Sequence, residues 1–445
     1  MLFIGLGYAV LAISYLIIET RHTLRQKSFG MLSCARYMYA FIYGILPATI
    51  CLQGESGRWT IDFSATGQMQ LFVMLLLSLI GFAALSLGYK VAKPARVKKD
   101  QAMPTQPIIL GATVILAIGW ISFYLWTRAF GGISNFIQNA DAVRANYSTV
   151  YNPLAFLEKV TRILQFAAFI FVPYFFQVKG VKKIPIGVMA VLAAAGGIGF
   201  ILATDSRTNA GFFVLAIYFI MMEYRLKVRG VSIKRALVET GIIAVIAFLI
   251  VILSEAVMEY IRFGTLMQTD TTDSATTITN EFGFILQTQQ HILKSWMNGG
   301  YQLQLGNDLV NALTAWIPSS FLPFKLPDTI WTYNTQLIAG GVGGTIPTDM
   351  ISASIYQIGI LGPAIIPFLY GMAVKKIETK LERTQYNLFY SATKYAICLM
   401  VLHSIGYFQL YSFAQTAFYI LASYIIVKFV EHIGIKPKAI GGNGE

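Results

Sequence analysis

The chain has 445 residues, of which 56% are hydrophobic and only 12% charged, with a mean hydropathy of +0.61 and a net charge of +13. Soluble globular domains carry about 25% charged residues, so this composition excludes an ordinary soluble globule and points to a membrane. Three scattered cysteines, Cys34, Cys51 and Cys398, exclude a disulfide framework.

Apolar runs long enough to cross a bilayer fall near 2–18, 37–53, 69–89, 107–127, 161–178, 184–203, 209–224, 236–258, 350–373, 389–408 and 412–430. They predict an all-α polytopic membrane protein with about 11 transmembrane helices. Residues 1–258 hold spans one to eight, 259–349 form a large loop, and 350–445 hold spans nine to eleven and a tail. In the first run the positive charge follows the apolar stretch, so it reads as a span and not as a cleaved signal peptide.

Assigning the loops alternately to two sides puts 25 of the 34 lysines and arginines on one of them. The positive-inside rule makes that side cytoplasmic, with the amino terminus outside and the carboxyl terminus inside. The basic excess is then topological, and no nucleic-acid surface is expected. The chain is expected to cross its membrane many times. Interest moves to the few outward basic residues: Arg58, Arg128, Arg144, Lys159, Arg162, Arg207, Arg262, Lys294 and Lys325.

The first long outward loop, 131–159, opens on Gly131-Gly132 and carries Arg144 on a short predicted helix. Next comes the turn TDSRTN at 204–209. An arginine costs about 2.5–3.5 kcal/mol at the centre of a spanning helix, so Arg207 is expected at an aqueous edge. Arg262 in EYIRFG ends span eight. Guanidinium groups bind phosphate in bidentate fashion and stay charged, which makes Arg207, Arg262 and Arg144 candidates for a phosphate-binding site, with Asn209 and Ser206 adding neutral hydrogen bonds. Headgroup snorkelling, or pairing with Asp205 or Glu259, is the competing reading. Arg128, beside Trp126, reads as an interface anchor.

In the 259–349 loop, residues 280–297 have helical periodicity. Phe282, Ile285, Leu286, Ile292, Leu293, Trp296 and Met297 share one arc, and Glu281, Gln287, Thr288, His291, Lys294 and Ser295 the other. This predicts an amphipathic helix lying on the outer surface with its polar face toward an enclosed space. IPSSFLPFKLP at 317–327 is proline-punctuated, and four glycines between 340 and 344 suit a lid or a plain linker. His291 and His403 are candidate general bases, with Glu281 and Asp349 as carboxylate alternatives. A structural histidine or a capping carboxylate is the plainer reading of each. TDTTD at 269–273 lacks a third ligand, and no Walker loop, GxSxG, HExxH or CxxC occurs. Neither metal nor cofactor is expected.

The order of features resembles that of bacterial oligosaccharide repeat-unit polymerases, the Wzy-type O-antigen and capsule polymerases. It rests on GGISNF in an outward loop, TDSRTN, R-F-G at a span end, then Glu281-Phe282, LGNDLVNALTAWIPSSFLPFKLP and IPTD leading to GILG, over roughly 130 to 375. The chain departs from that pattern in MISASIYQI, which has no acid and leaves Asp349 the only one close by, and in YFQLYS (407–412), which has no arginine. The resemblance implies a GT-C-like glycosyltransferase. Such an enzyme moves a growing glycan from undecaprenyl pyrophosphate onto an undecaprenyl-pyrophosphate-linked repeat unit at the outer face of the membrane. It also implies a bacterial cytoplasmic (inner) membrane as the location, and membrane lipids, a flippase and a chain-length regulator as partners. A lipid-linked oligosaccharide flippase or transporter and an O-antigen ligase-like transferase are the alternatives.

Overall fold

The computed structural model describes residues 1–27, 29–54, 59–94, 103–138, 152–204, 207–263, 279–280, 282–317, 321–340 and 345–433, with the backbone alone at 203, 207, 248 and 251–263. Arg144, Asp205, Ser206, Glu281, the TDTTD stretch and Gly341–Gly344 lie outside these. Every regular element among the described residues is a helix. In chain order these are α1 (Leu2–Gln26), α2 (Met31–Gln53), α3 (Ala65–Val91), α4 (Thr105–Arg128), α5 (Ile133–Gln138), α6 (Leu157–Thr161), α7 (Ile163–Phe175), α8 (Lys183–Ala203), α9 (Arg207–Lys227) and α10 (Ile233–Phe263). After them come α11 (Phe284–Met297), α12 (Leu305–Thr314), α13 (Ile330–Ala339), α14 (Met350–Ile358), α15 (Gly362–Leu381), α16 (Leu388–Gly406) and α17 (Leu410–Ile433).

Nine candidate spans occur among the described residues, by length and apolarity: α1, α2, α3, α4, α8, α9, the α14–α15 pair, α16 and α17. This is the architecture of a polytopic membrane protein. One expected span takes another form, and one other lies inside a longer helix. Residues 161–178 become the 13-residue α7, which contains Pro173, and 236–258 lie within the 31-residue α10. The run 350–373 is also broken, because Gly359 adopts φ +80° and a 3-10 turn over Gly359–Leu361 separates α14 from α15. Only glycine takes that dihedral without strain.

The tightest interhelical seam joins α3 to α15. A Cβ on Gly88 would stand 2.0 Å from the Phe368 carbonyl oxygen, and one on Gly371 would stand 2.2 Å from that of Leu85. The two backbones therefore touch directly, as small residues permit between helices that gain nothing from the hydrophobic effect in lipid. In α2, a π-turn at Phe41–Ile45 coincides with Gly44, whose absent Cβ admits Ala12 of α1.

At the end away from the 259–349 loop, acidic side chains bind the basic ones that the topology concentrates there. Arg36 Nη1 donates to Glu19 at 2.9 Å, and Lys227 pairs with Glu223 at 2.8 Å, with Lys394 3.7 Å from the same carboxylate. Glu378 accepts from the Met31 amide at 2.7 Å and from the Tyr89 hydroxyl at 2.6 Å. These ties fasten α1 to α2, α9 to α16, and α15 to α2 and α3.

At the opposite end the described part of the 259–349 loop is docked firmly on the bundle. Helix α11 forms where periodicity predicts it, but it buries both arcs over most of its length instead of presenting a polar face to open space. Gln287, Thr288, Gln289 and Gln290 are buried along with Ile285 and Leu286. Gln290 accepts from the Asp62 amide at 2.9 Å and donates to the Asp62 carbonyl at 2.7 Å, which clasps α11 to the entry of α3. Asn334 of α13 donates to the carbonyl of Ile346 and accepts from Tyr356, and Trp331 donates to the carbonyl of Phe408. The apolar arc reaches solvent or lipid only at its end, where Trp296 and Met297 are exposed.

Candidate functional site

The strongest constellation at the long-loop end centres on Arg162. The turn that delivers it is set by Asn152, which accepts from the Leu154 amide at 2.9 Å and donates to the Trp126 carbonyl at 2.9 Å. Pro153 ensures that the chain turns here, and α6 then leads to Arg162 at its junction with α7. The guanidinium enters a cleft between α8 and α17. It sits 6.0 Å from the Phe200 ring and 5.5 Å from the Tyr419 ring, and Nη1 donates to the Thr416 hydroxyl at 3.3 Å. Its Nε is buried without a hydrogen-bond partner. Aromatic faces stabilise the charge without using N–H donors, so most of the five guanidinium donors remain for an anion.

His403, near the end of α16, is an electrostatic neighbour of Arg162. Its ring stacks on Tyr407 at 4.7 Å and meets the edge of Phe212 at 6.3 Å. It is only half-buried, as are residues 411–418 at the start of α17. Phe212 lies one and a half turns into α9, which begins at Arg207. The first turn of α9, with its positive dipole end and the Arg207 backbone, thus stands roughly 7 Å above His403 along the α9 axis. Asn209 in that turn is half-buried and makes its own contacts.

The expected residues therefore separate. Arg207 and His403 belong to one region by backbone position, and the side chain of Arg207 lies outside the described residues. Arg262 stands at a different level from Arg207. Tyr218 of α9 bonds to Ala236 and Thr240 of α10, a register that puts Arg262 roughly 20 Å beyond the start of α9. The side chain of Arg262, and all of Arg144 and Glu281, fall outside the described residues. His291 lies two turns along α11 from Phe284, the residue that touches Tyr407, hence roughly 10 Å along the axis from the His403 group.

Asp349 is completely buried and caps α14. One carboxylate oxygen accepts from the Ile351 amide at 3.0 Å, the Ser352 amide at 3.1 Å and the Tyr43 hydroxyl at 2.7 Å, and the other from the Ser352 hydroxyl at 2.5 Å. Burial raises its pKa despite these donors. Its acceptor sites are engaged by the protein, the arrangement of a helix-capping carboxylate.

His291 is half-buried, and desolvation, followed by the nearby Lys294, lowers its pKa. The folded protein therefore favours the neutral ring. A depressed histidine contributes stability that is complete above its ordinary pKa of 6.5 and is lost as the pH falls below it. Acidification from pH 7.5 to 5.5 is expected to lower the apparent unfolding temperature in detergent more for the wild type than for His291→Gln. Equal shifts would remove His291 as a source of acid sensitivity.

Two residues outside the expected set emerge. Arg162 is one. Asp308 of α12 is the other: Oδ2 accepts from Gln357 at 2.7 Å and from the Leu410 amide at 3.3 Å, whereas Oδ1 is buried with no partner. Desolvation pushes its pKa up. The sequence signal for Asp308 is the polar spacing Gln304, Asp308, Asn311 inside an otherwise apolar helix; for Arg162 it is a cation at the threshold of an apolar run. Among the described residues no group of three His, Cys, Asp or Glu is arranged to hold a metal ion. No protein family, curated protein or solved structure matches this chain.

Proposed function

We propose that the chain is a membrane glycosyltransferase that polymerises lipid-linked oligosaccharide repeat units at the membrane face bearing the 259–349 loop. The observation that carries the reading is Arg162, a cation with unspent donors between α8 and α17 and an electrostatic neighbour of His403. A pyrophosphate leaving group gathers negative charge as the bond to its sugar breaks, and a preorganised guanidinium stabilises that charge. The acceptor hydroxyl attacks the anomeric carbon, the anomeric C–O bond to the pyrophosphate breaks, and the hydroxyl proton passes to a base. His403 is the nearest imidazole to Arg162 in this arrangement, and the first turn of α9 adds the positive end of a helix dipole. The docked helices α11 and α13 form a floor on which sugars can lie.

The test combines side and product. An impermeant thiol reagent added outside intact cells should label a cysteine at exposed Lys325 and spare one at exposed Val181, on the opposite end. In a strain lacking the gene, long surface glycan should collapse to single repeat units, with accumulation of the one-repeat lipid pyrophosphate. Labelling at Val181 alone would invert the topology and place the Arg162 cleft on the wrong side. Undiminished long glycan would refute polymerisation.

A further inference from the structure

Helix α12 is amphipathic in the inverted sense. Gln304, Asp308, Asn311 and Ala315, spaced 4, 3 and 4 apart, are buried against the bundle, whereas Leu309, Val310, Leu313, Trp316 and Ile317 are exposed. Leu313 is 81% exposed, and Phe321 further on is 76% exposed. In water so large a contiguous apolar face is a strong penalty. Its neighbour says what covers it. Trp316 donates from Nε1 to the Ala414 carbonyl and meets Phe418 edge-on at 5.9 Å. Ala414, Phe418, Leu421, Ile425 and Phe429 follow one another at steps of four, three, four and four on α17, so they share one face of a candidate span. Leu421, Ile425 and Phe429 on that face are exposed, and in a spanning helix an exposed apolar stripe faces acyl chains. The exposed face of α12 continues this stripe without a polar break at Trp316.

We propose that α12 and the segment 321–324 lie in the lipid leaflet at the long-loop end, with the apolar face of α12 against acyl chains. The polar arc then faces inward, which accounts for a carboxylate buried on what is nominally a loop. Trp316 occupies the depth where indole rings concentrate, and exposed Lys325 marks the return to the headgroups. Lys159, which donates to the Ala315 carbonyl at 2.6 Å, holds the carboxyl end of the helix to the bundle. Thr416 and Tyr419, which touch Arg162, lie on a different face of α17, so this lipid contact stands whether or not the cleft binds pyrophosphate.

The experiment uses the full chain in phosphatidylcholine nanodiscs, with an environment-sensitive fluorophore on a single introduced cysteine at Leu313, Phe321 or Asp328. The three native cysteines are buried and do not compete for label. For a helix lying about 5–10 Å into the leaflet, the labels at Leu313 and Phe321 should lose at least about twofold more emission to lipid spin-labelled near its headgroup than to iodide, and Asp328 the reverse. Because both apolar positions are exposed, neither substitution removes a core contact. Dominant iodide quenching at Leu313 and Phe321 would overturn the proposal. Protection from both quenchers would overturn it too, since a second copy or another protein would then cover the face.

Discussion

Arg162→Ala is expected to abolish long-chain surface glycan at unchanged protein abundance. The guanidinium has one hydrogen bond to Thr416 and no acidic oxygen within 4 Å among the described residues, and its acidic neighbour Glu158, one turn back, also has Lys159 beside it, so the fold should survive loss of its charge. If its role is to stabilise a departing pyrophosphate, its removal should cost about 10²–10³ in turnover, the effect of losing one preorganised donor to a transition-state anion. Arg162→Lys keeps a charge in the cleft but loses the planar fork and much of the stacking on Phe200 and Tyr419, so it should restore short chains only. The readout is surface glycan displayed by size, beside immunoblots of the membrane fraction. Full-length glycan from Arg162→Ala at normal abundance would sink the leaving-group role.

The second large effect concerns Asp349, and here stability and activity should part. Asp349→Ala strands the Ser352 amide in a fully buried site, leaves the Tyr43 hydroxyl only the Ile405 carbonyl at 3.3 Å and leaves the Ile351 amide only the Tyr43 hydroxyl at 3.0 Å, at about 1–3 kcal/mol for each group left unsatisfied. We expect sharply reduced abundance and a lowered unfolding temperature in detergent. Asp349→Asn retains one acceptor oxygen for those donors, and the Ser352 hydroxyl can rotate to accept from the new amide. That variant should fold and polymerise nearly normally. A catalytic carboxylate would behave in the opposite way, since asparagine would then fold and be inactive. Measuring abundance and glycan length together for the two variants decides between them.

The helical fold was legible in the sequence because lipid removes the ambiguity that besets short apolar runs: a backbone without water must close its own hydrogen bonds. Nine of the expected spans stand as candidate spans, and the helix at 284–297 lies within its expected range. What periodicity could not tell is what meets each face. The polar arc of α11 looked like a surface facing open space, yet Gln290 spends it on Asp62, a partner 228 residues away. Arg162 was passed over for a similar reason. A window of apolar residues averages one cation away, and only the approach of α8 and α17 gives that cation its aromatic walls. Asp308 was hidden because an apolar outer face on a loop helix has no meaning until α17 lies beside it.

The α3–α15 seam carries a consequence for biogenesis. Gly88 and Gly371 are separated by most of the chain, and ribosomes elongate at about 5–20 residues per second, so α3 waits in the membrane for tens of seconds before its partner exists. Throughout that interval its glycine notch lacks the backbone that fills it in the folded chain. Nascent chains that stop before residue 362 keep the notch open permanently and also lack Glu378, the carboxylate that Tyr89 and the Met31 amide await. A quality-control protease that surveys membrane helices for open notches would find a truncated chain marked in two places, and a completed chain in neither.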